Sequence, residues 1–178
     1  MKKIILLASV LLANVMFANA WDNPKQTSPM EGDTTPHLFY IERSLNKNLV
    51  CYDVNYDKSG KIDEKSPIHV YWINRVDRVG EREELNFIQK KMAYGYNSKS
   101  NGDGTFKIIL VPMSKRELTL KKSKGREYYC EMTINGKPSL LKRLYVKTKP
   151  SNSNSVEYII IYGVVLATGK EVEEKVDN

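Results

Sequence analysis

Apolar and polar residues alternate along most of the chain, the pattern of β-strands that bury one face. The clearest alternation puts Val50, Tyr52, Val54 and Tyr56 on the same face of one segment. β-Branched and aromatic residues, which favour strands, are frequent in the same stretches. The pattern predicts nine strands, at residues 37–43, 49–56, 68–76, 93–97, 106–111, 117–121, 128–134, 140–147 and 156–166.

One segment has a helical rather than a strand period. Within residues 83–93, Leu85, Ile88 and Met92 are spaced i, i+3, i+7, with two acids at the start of the segment and two lysines near its end. This spacing predicts a short amphipathic helix with charges matched to its dipole, ended by Gly95. Turn signals at 101–104 and at Asn135-Gly136 predict hairpins, and residues 150–155 read as a loop.

Nine strands without a strand–helix–strand rhythm predict a mainly β fold. We expect one antiparallel β-sandwich or small β-barrel with one short helix, formed by residues 36–178. Its size suits a single domain with one core.

The N-terminal residues have the features of an export signal. Lys2 and Lys3 precede an apolar run, and the segment ends in Ala18-Asn19-Ala20, a small-x-small cleavage pattern. Residues 1–20 are therefore predicted to be a signal peptide, and the polar residues 21–35 a flexible leader. No later stretch is apolar enough to predict a transmembrane segment, which indicates a soluble periplasmic or secreted protein.

The formal net charge is +7. In an exported protein this balance points away from nucleic acid and toward anionic envelope glycans, anionic lipids or acidic proteins. The alternative is a basic surface that serves solubility alone.

Cys51 and Cys130 are the two cysteines of the chain. An oxidising compartment permits a disulfide between them, and two buried thiols are the alternative.

The order of several segments resembles an uncharacterised bacterial family, called domain of unknown function 4833. The likeness covers about residues 36–176 and is carried by HLFYIERS at 37–44, PIHVYWI at 67–73, Leu85 to Gly95, Asn135-Gly136, Leu144-Tyr145-Val146, Glu157-Tyr158-Ile159 and Thr168-Gly169. The resemblance implies a compact exported domain and supplies no catalytic residues.

Two histidines lie on predicted strands and are the weak catalytic candidates. His37 could act as a general base with a nearby carboxylate, and His69, Tyr71 and Arg75 share one strand face that could hold an anion. An ordinary amphipathic strand explains the same residues. The sequence has no nucleophile elbow and no zinc-binding spacing, and it predicts no cofactor.

Two further groups could bind ligands. Asn55, Asp57, Ser59 and Asp63 match positions of a calcium loop, although Ser66 stands where a bidentate glutamate is needed; a turn rich in Asn and Asp is the alternative. A basic cluster at a predicted turn could bind phosphates or acidic glycans, or could protect strand edges from aggregation: Lys121, Lys122, Lys124 and Arg126.

Three functions are compatible with these features. The first is a non-enzymatic binding or accessory module of the cell envelope. The second is a small exported hydrolase with a His/Tyr/Arg site. The third is a β-barrel carrier of an apolar ligand, with a cavity lined by Val50, Tyr52, Ile108 and Tyr158.

Overall fold

The computed structural model describes residues 37–125 and 127–177, without the side chains of 153 and 154. The predicted signal peptide (1–20), the leader (21–35) and Arg126 lie outside the described residues. The elements in chain order are β1 (Phe39–Arg43), β2 (Asn46–Val54), β3 (Ile68–Ile73), β4 (Arg82–Glu84), α1 (Phe87–Gln89) continued by a π-helical turn (Lys90–Tyr94), β5 (Tyr96–Ser100), β6 (Phe106–Leu110), β7 (Leu118–Lys122), β8 (Tyr128–Ile134), β9 (Lys137–Lys149), β10 (Asn152–Val165) and β11 (Glu171–Asp177).

All eleven strands belong to one sheet, which branches at β9. Residues Lys137–Leu140 of β9 pair with β8, whereas residues Arg143–Val146 pair with β1. The other edge of β9 pairs with β10, and β10 pairs with β11. Two wings thus leave β9, one ordered β1-β2-β3-β4 and the other β8-β7-β6-β5, and they curl into a half-barrel.

The prediction of a mainly β fold with one short helix is confirmed. Three details differ from the sequence prediction. The β1–β9 pair is parallel, so the sheet is not wholly antiparallel. Two more strands are present than expected, β4 and β11, and β10 begins at Asn152, inside the segment predicted as a loop.

One hydrophobic core fills the space between the wings. Phe39, Val50 and Tyr52 come from the first wing and Ile108 and Leu120 from the second. The rings of Phe39 and Tyr52 stack with centroids 4.3 Å apart. Side chains therefore occupy the interior that a carrier would need for an apolar ligand. Of the four residues proposed to line such a cavity, Tyr158 is not part of the core, and the carrier hypothesis gains no support.

The apolar residues that predicted the helix are not all buried. Of the predicted apolar face, Leu85 is buried, but Ile88 is 66% exposed and Met92 is 74% exposed. Tyr94 and Ala93 contact the core instead. The apolar spacing predicted a helix here, and the structure places two of the three apolar side chains at the surface.

None of the helices within the described residues is long and apolar enough to cross a bilayer.

Candidate functional site

A cleft of about 370 Å³ lies between β3, β5 and the helix. Three lysines and one histidine line it: Lys65, Lys90, Lys91 and His69. Asn55, Ser66, Tyr96 and Ser98 add polar groups, and Phe87 adds an aromatic surface. Among the described residues the lining contains no carboxylate. We call this feature the β3–β5 cleft.

Tyr96 fixes the floor of the β3–β5 cleft. Its hydroxyl donates to the carbonyl oxygen of Ile68 at 2.6 Å and accepts from the Ile68 N–H at 2.9 Å. The same oxygen lies 3.2 Å from the Ser66 hydroxyl. Burial raises the pKa of Tyr96, which keeps the phenol protonated. Since β3 and β5 belong to different wings, this hydroxyl joins the two wings beside the cleft.

His69 stands at the rim of the cleft and is held by a carboxylate. Its Nε2 atom lies 2.6 Å from Oε1 of Glu84. The other carboxylate oxygen of Glu84 is 3.6 Å from Nζ of Lys90. Glu84 therefore links the strand that carries His69 to the helix that carries two of the lysines. All three side chains are substantially exposed, so the arrangement is accessible to a ligand.

The His69 ring lies next to Tyr71, and from Tyr71 two hydrogen bonds lead through Asp53 to His37. The ring centroids of His69 and Tyr71 are 5.0 Å apart. The Tyr71 hydroxyl donates to Oδ2 of Asp53 at 2.6 Å, and Oδ1 of Asp53 lies 2.6 Å from Nδ1 of His37. Burial and the neighbouring Asp53 raise the pKa of Tyr71, which keeps the phenol protonated and donating.

Both histidine rings lie near the Tyr71 ring, with centroids 6.5 Å away for His37 and 5.0 Å for His69, but they are not equivalent. His37 is buried and lies at the start of the described chain, so its contact with Asp53 fastens β1 to β2. His69 alone faces the cleft. General-base chemistry needs contact with a substrate, and of the two histidines His69 is the one that a molecule in the cleft could reach.

Arg75 does not join the His69–Tyr71 pair. Its Nη1 atom lies 3.5 Å from Oε1 of Glu42, whose Oε2 accepts from Nη1 of Arg143 at 2.7 Å. The guanidinium of Arg143 lies 3.9 Å from the ring centroid of Tyr162. Glu42 therefore binds both arginines, and the predicted His/Tyr/Arg group is divided between two places.

The calcium-loop residues are used by the loop itself. Oδ1 of Asp57 accepts from the backbone N–H groups of Ser59 and Lys61 and from the Ser59 hydroxyl. Oδ1 of Asp63 accepts from the backbone of Lys65, and the Asn55 amide donates to the Ser66 carbonyl at 2.8 Å. No metal-binding group of three His, Cys, Asp or Glu side chains occurs within 37–125 and 127–177. These bonds are those of the alternative, a turn rich in Asn and Asp.

The basic cluster is spread over its hairpin. Nζ of Lys121 lies 2.5 Å from Oε2 of Glu131, and Nζ of Lys122 lies 5.3 Å from the ring centroid of Tyr128. Lys124 is exposed in the turn. Lys122 and Tyr128 line a second groove together with residues of the 57–65 loop, including Asp57, Asp63 and Glu64. Three carboxylates make that groove less suited to an anion than the β3–β5 cleft.

The two cysteines lie in different clusters. Cys130 belongs to the main core, whereas Cys51 packs with Leu49, Tyr71 and Ile73 on the opposite face of the sheet. Both thiols are buried and are not bonded to each other. A disulfide would require one side chain to change face.

Several residues of the cleft were not singled out from the sequence. Lys90 and Lys91 were read only as partners of the helix dipole, and Glu84 as part of the helix. The pairing of β4 with β3 brings Glu84 next to Tyr71. No local pattern reveals that pairing, because Arg82–Glu84 carries no apolar residue.

Taken together, these features define a small half-barrel β-domain with a basic, partly aromatic cleft at the junction of its two wings. A family model describes residues 39–175. The chain belongs to that family, Domain of unknown function (DUF4833), as its segment order suggested. No curated protein matches the chain, and no solved structure matches it.

Proposed function

We propose that the chain is an exported, non-enzymatic binding module of the cell envelope, periplasmic or secreted, and that the β3–β5 cleft binds an anionic ligand. One observation supports the proposal: Lys65, Lys90, Lys91 and His69 converge on one cleft, and no carboxylate lines it within the described part of the chain. Ammonium groups gathered in a concave site attract and hold anions. The signal-like residues 1–20 support the location.

The cleft offers more than charge. Phe87 presents an aromatic ring beside the lysines, and the polar side chains of Ser66, Ser98 and Asn55 provide hydrogen-bonding groups. Binding sites typically combine an apolar surface with a few placed polar groups. The ligand that fits this lining is an anion with a neighbouring apolar or ring-shaped portion.

A titration with inorganic phosphate and with glycerol 3-phosphate tests the proposal. The wild type is expected to bind both, and the double variant Lys90→Gln/Lys91→Gln to lose at least tenfold in affinity, because two of the three lysines of the cleft are gone. The matched control is Lys121→Gln/Lys122→Gln on β7. Equal losses in the two variants would mean that net charge, rather than the cleft, attracts the anion.

The hydrolase alternative is favoured by one contact, between His69 and Glu84 at the rim of the cleft. A carboxylate that orients an exposed imidazole is the usual arrangement of a general base. Hydrolysis of aryl phosphate esters or acyl esters that His69→Gln abolishes would establish it. If the wild type and the His69→Gln variant hydrolyse these esters at the same rate, the hydrolase alternative is rejected and only the binding function remains.

A further inference from the structure

The outer side of the helix is an apolar surface beside the basic cleft. Phe87 is 76% exposed, Ile88 66% and Met92 74%. Ile88 and Met92 are four residues apart, so they lie on the same side of the helix. Lys90 and Lys91 stand between them in the sequence, and Nζ of Lys91 lies 5.8 Å from the ring centroid of Phe87. We call these five side chains the helix patch.

The helix patch is mounted rigidly. The Tyr52 hydroxyl, inside the core, donates to the carbonyl oxygen of Tyr94 at 2.7 Å. The Tyr94 hydroxyl accepts from Nη1 of Arg43 at 2.8 Å, and its ring meets the edge of Trp72 with centroids 5.0 Å apart. At the other end, Asn86 and Gln89 form a capping box. These contacts hold both ends of the helix in place. The apolar side chains are therefore exposed because of how the helix packs on the core, and not because the helix is frayed.

Exposed apolar side chains next to lysines are typical of helices that bind to membrane surfaces. Such a helix lies at a bilayer interface, its apolar side chains among the acyl chains and its lysines at anionic head groups. Each lysine near an anionic leaflet adds an attraction that salt weakens. The helix patch and the β3–β5 cleft share Phe87, Lys90 and Lys91. A lipid whose head-group phosphate lies in the cleft would therefore have its acyl chains next to the exposed apolar side chains of the patch.

We infer that the helix patch docks the protein on an anionic phospholipid surface, with the head-group phosphate in the β3–β5 cleft and Phe87, Ile88 and Met92 among the acyl chains. This inference rests on the proposed function and names its ligand class. The combination of exposed apolar side chains and flanking lysines favours a lipid surface over an acidic protein, because acyl chains would bury the apolar groups while anionic head groups pair with the lysines. Glu84 offsets part of the charge through Lys90, so the attraction depends on Lys65 and Lys91 as well.

Co-sedimentation with vesicles tests the inference, using phosphatidylcholine with and without one-third phosphatidylglycerol. The wild type is expected to bind the anionic vesicles and to lose binding at high salt. Ile88→Ser/Met92→Ser should lower the vesicle affinity at least tenfold, since two inserted apolar side chains are lost. The matched control is Val76→Ser/Val79→Ser, which removes two apolar side chains exposed elsewhere, and it should bind like the wild type.

Inorganic phosphate separates this inference from the proposed function. Ile88→Ser/Met92→Ser should still bind phosphate like the wild type, because both side chains lie outside the cleft lining. A wild type that binds phosphate but not anionic vesicles would overturn the lipid inference and leave the anion-binding function standing. Vesicle binding unchanged in Ile88→Ser/Met92→Ser would overturn it as well.

The remaining occupant to test is a second copy of the chain. Sedimentation velocity without vesicles should show the same monomer for the wild type and for Ile88→Ser/Met92→Ser. A wild-type dimer that this variant converts to monomer would assign the helix patch to self-association and overturn the lipid inference.

Discussion

The hydroxyl of Tyr52 donates a hydrogen bond to the carbonyl oxygen of Tyr94, 2.7 Å away inside the core. Tyr52 lies on β2 and Tyr94 ends the helix, 42 residues later. This bond connects the centre of the first wing to the segment that carries Lys90 and Lys91. It thereby couples core packing to the position of the candidate site.

Replacing Tyr52 with Phe tests that coupling. The ring remains to stack on Phe39, but the Tyr94 carbonyl loses its donor, and a buried unpaired carbonyl costs about 1–3 kcal/mol. Urea denaturation should show a loss of that size. Phosphate affinity should fall too, because the end of the helix is no longer held. If Tyr52→Phe is as stable as the wild type, the hydrogen bond does not help to hold the helix in place.

Gly95, directly after the helix, lies where the backbone leaves no room for a side chain. A Cβ atom at this position would overlap the carbonyl oxygen of Lys90, so Gly95→Ala must displace the π-helical turn. We expect a loss of about 1–3 kcal/mol in the free energy of unfolding, with weaker phosphate binding. The control is Gly80→Ala, where φ is +87° but nothing lies nearby. It should destabilise the protein and leave phosphate affinity unchanged.

The last strand is fastened by Glu174. Its carboxylate forms two contacts with the Arg116 guanidinium and accepts from the backbone N–H of Asn135 at 2.6 Å. The hydrogen bond from Arg116 holds the pKa of Glu174 below its usual value. A carboxylate whose pKa is lower in the folded state stabilises the protein above the unfolded pKa, and this contribution is lost as pH falls through the folded pKa.

Glu174→Gln should therefore lower the free energy of unfolding at pH 7 by about 1–3 kcal/mol, since charge-assisted hydrogen bonds are lost. The difference from the wild type should shrink as the pH falls below 4. Denaturation curves at pH 7 and pH 3 measure both effects. Glu173→Gln, an exposed neighbour on β11, is the control and should change little. A difference between Glu174→Gln and wild type that is the same at both pH values would contradict this account.

The cysteines give a test of the disulfide prediction. Both thiols are buried, and burial raises the pKa of Cys130, which makes its thiolate scarce. Without reductant, iodoacetamide should modify neither cysteine in the native protein and both after denaturation, as intact mass would report. If denatured protein takes up iodoacetamide only after reduction, the purified protein contains the Cys51–Cys130 bond.

The sequence predicted the strands that bury one face. Strand β8 has the predicted bounds, because Cys130, Met132 and Ile134 alternate with more exposed residues. Strand β4 was missed since its three residues are all exposed. Strand β11 was not predicted; its backbone pairs with β10, and Val172 and Val176 pack against the core. Alternation reports burial, so strands held mainly by a neighbour's backbone leave a weak signal.

The candidate site was predicted only in part. His69 and Tyr71 were expected on one strand face, where they lie. Arg75 was expected with them and instead binds Glu42. The partners of His69 come from β4 and the helix, which pairing and packing bring together. Periodicity identified Ile88 and Met92 as one apolar face and could not tell whether that face meets the core or the surroundings.

The most direct test of the anion-binding cleft is a titration of the ¹⁵N-labelled protein with inorganic phosphate, followed by amide chemical shifts. We expect saturable shifts concentrated at six residues of the cleft, with little change at the Lys121–Lys122 hairpin: Lys65, Ser66, His69, Lys90, Lys91 and Tyr96. Shifts spread evenly over the lysine-bearing strands, or concentrated at that hairpin, would contradict this expectation.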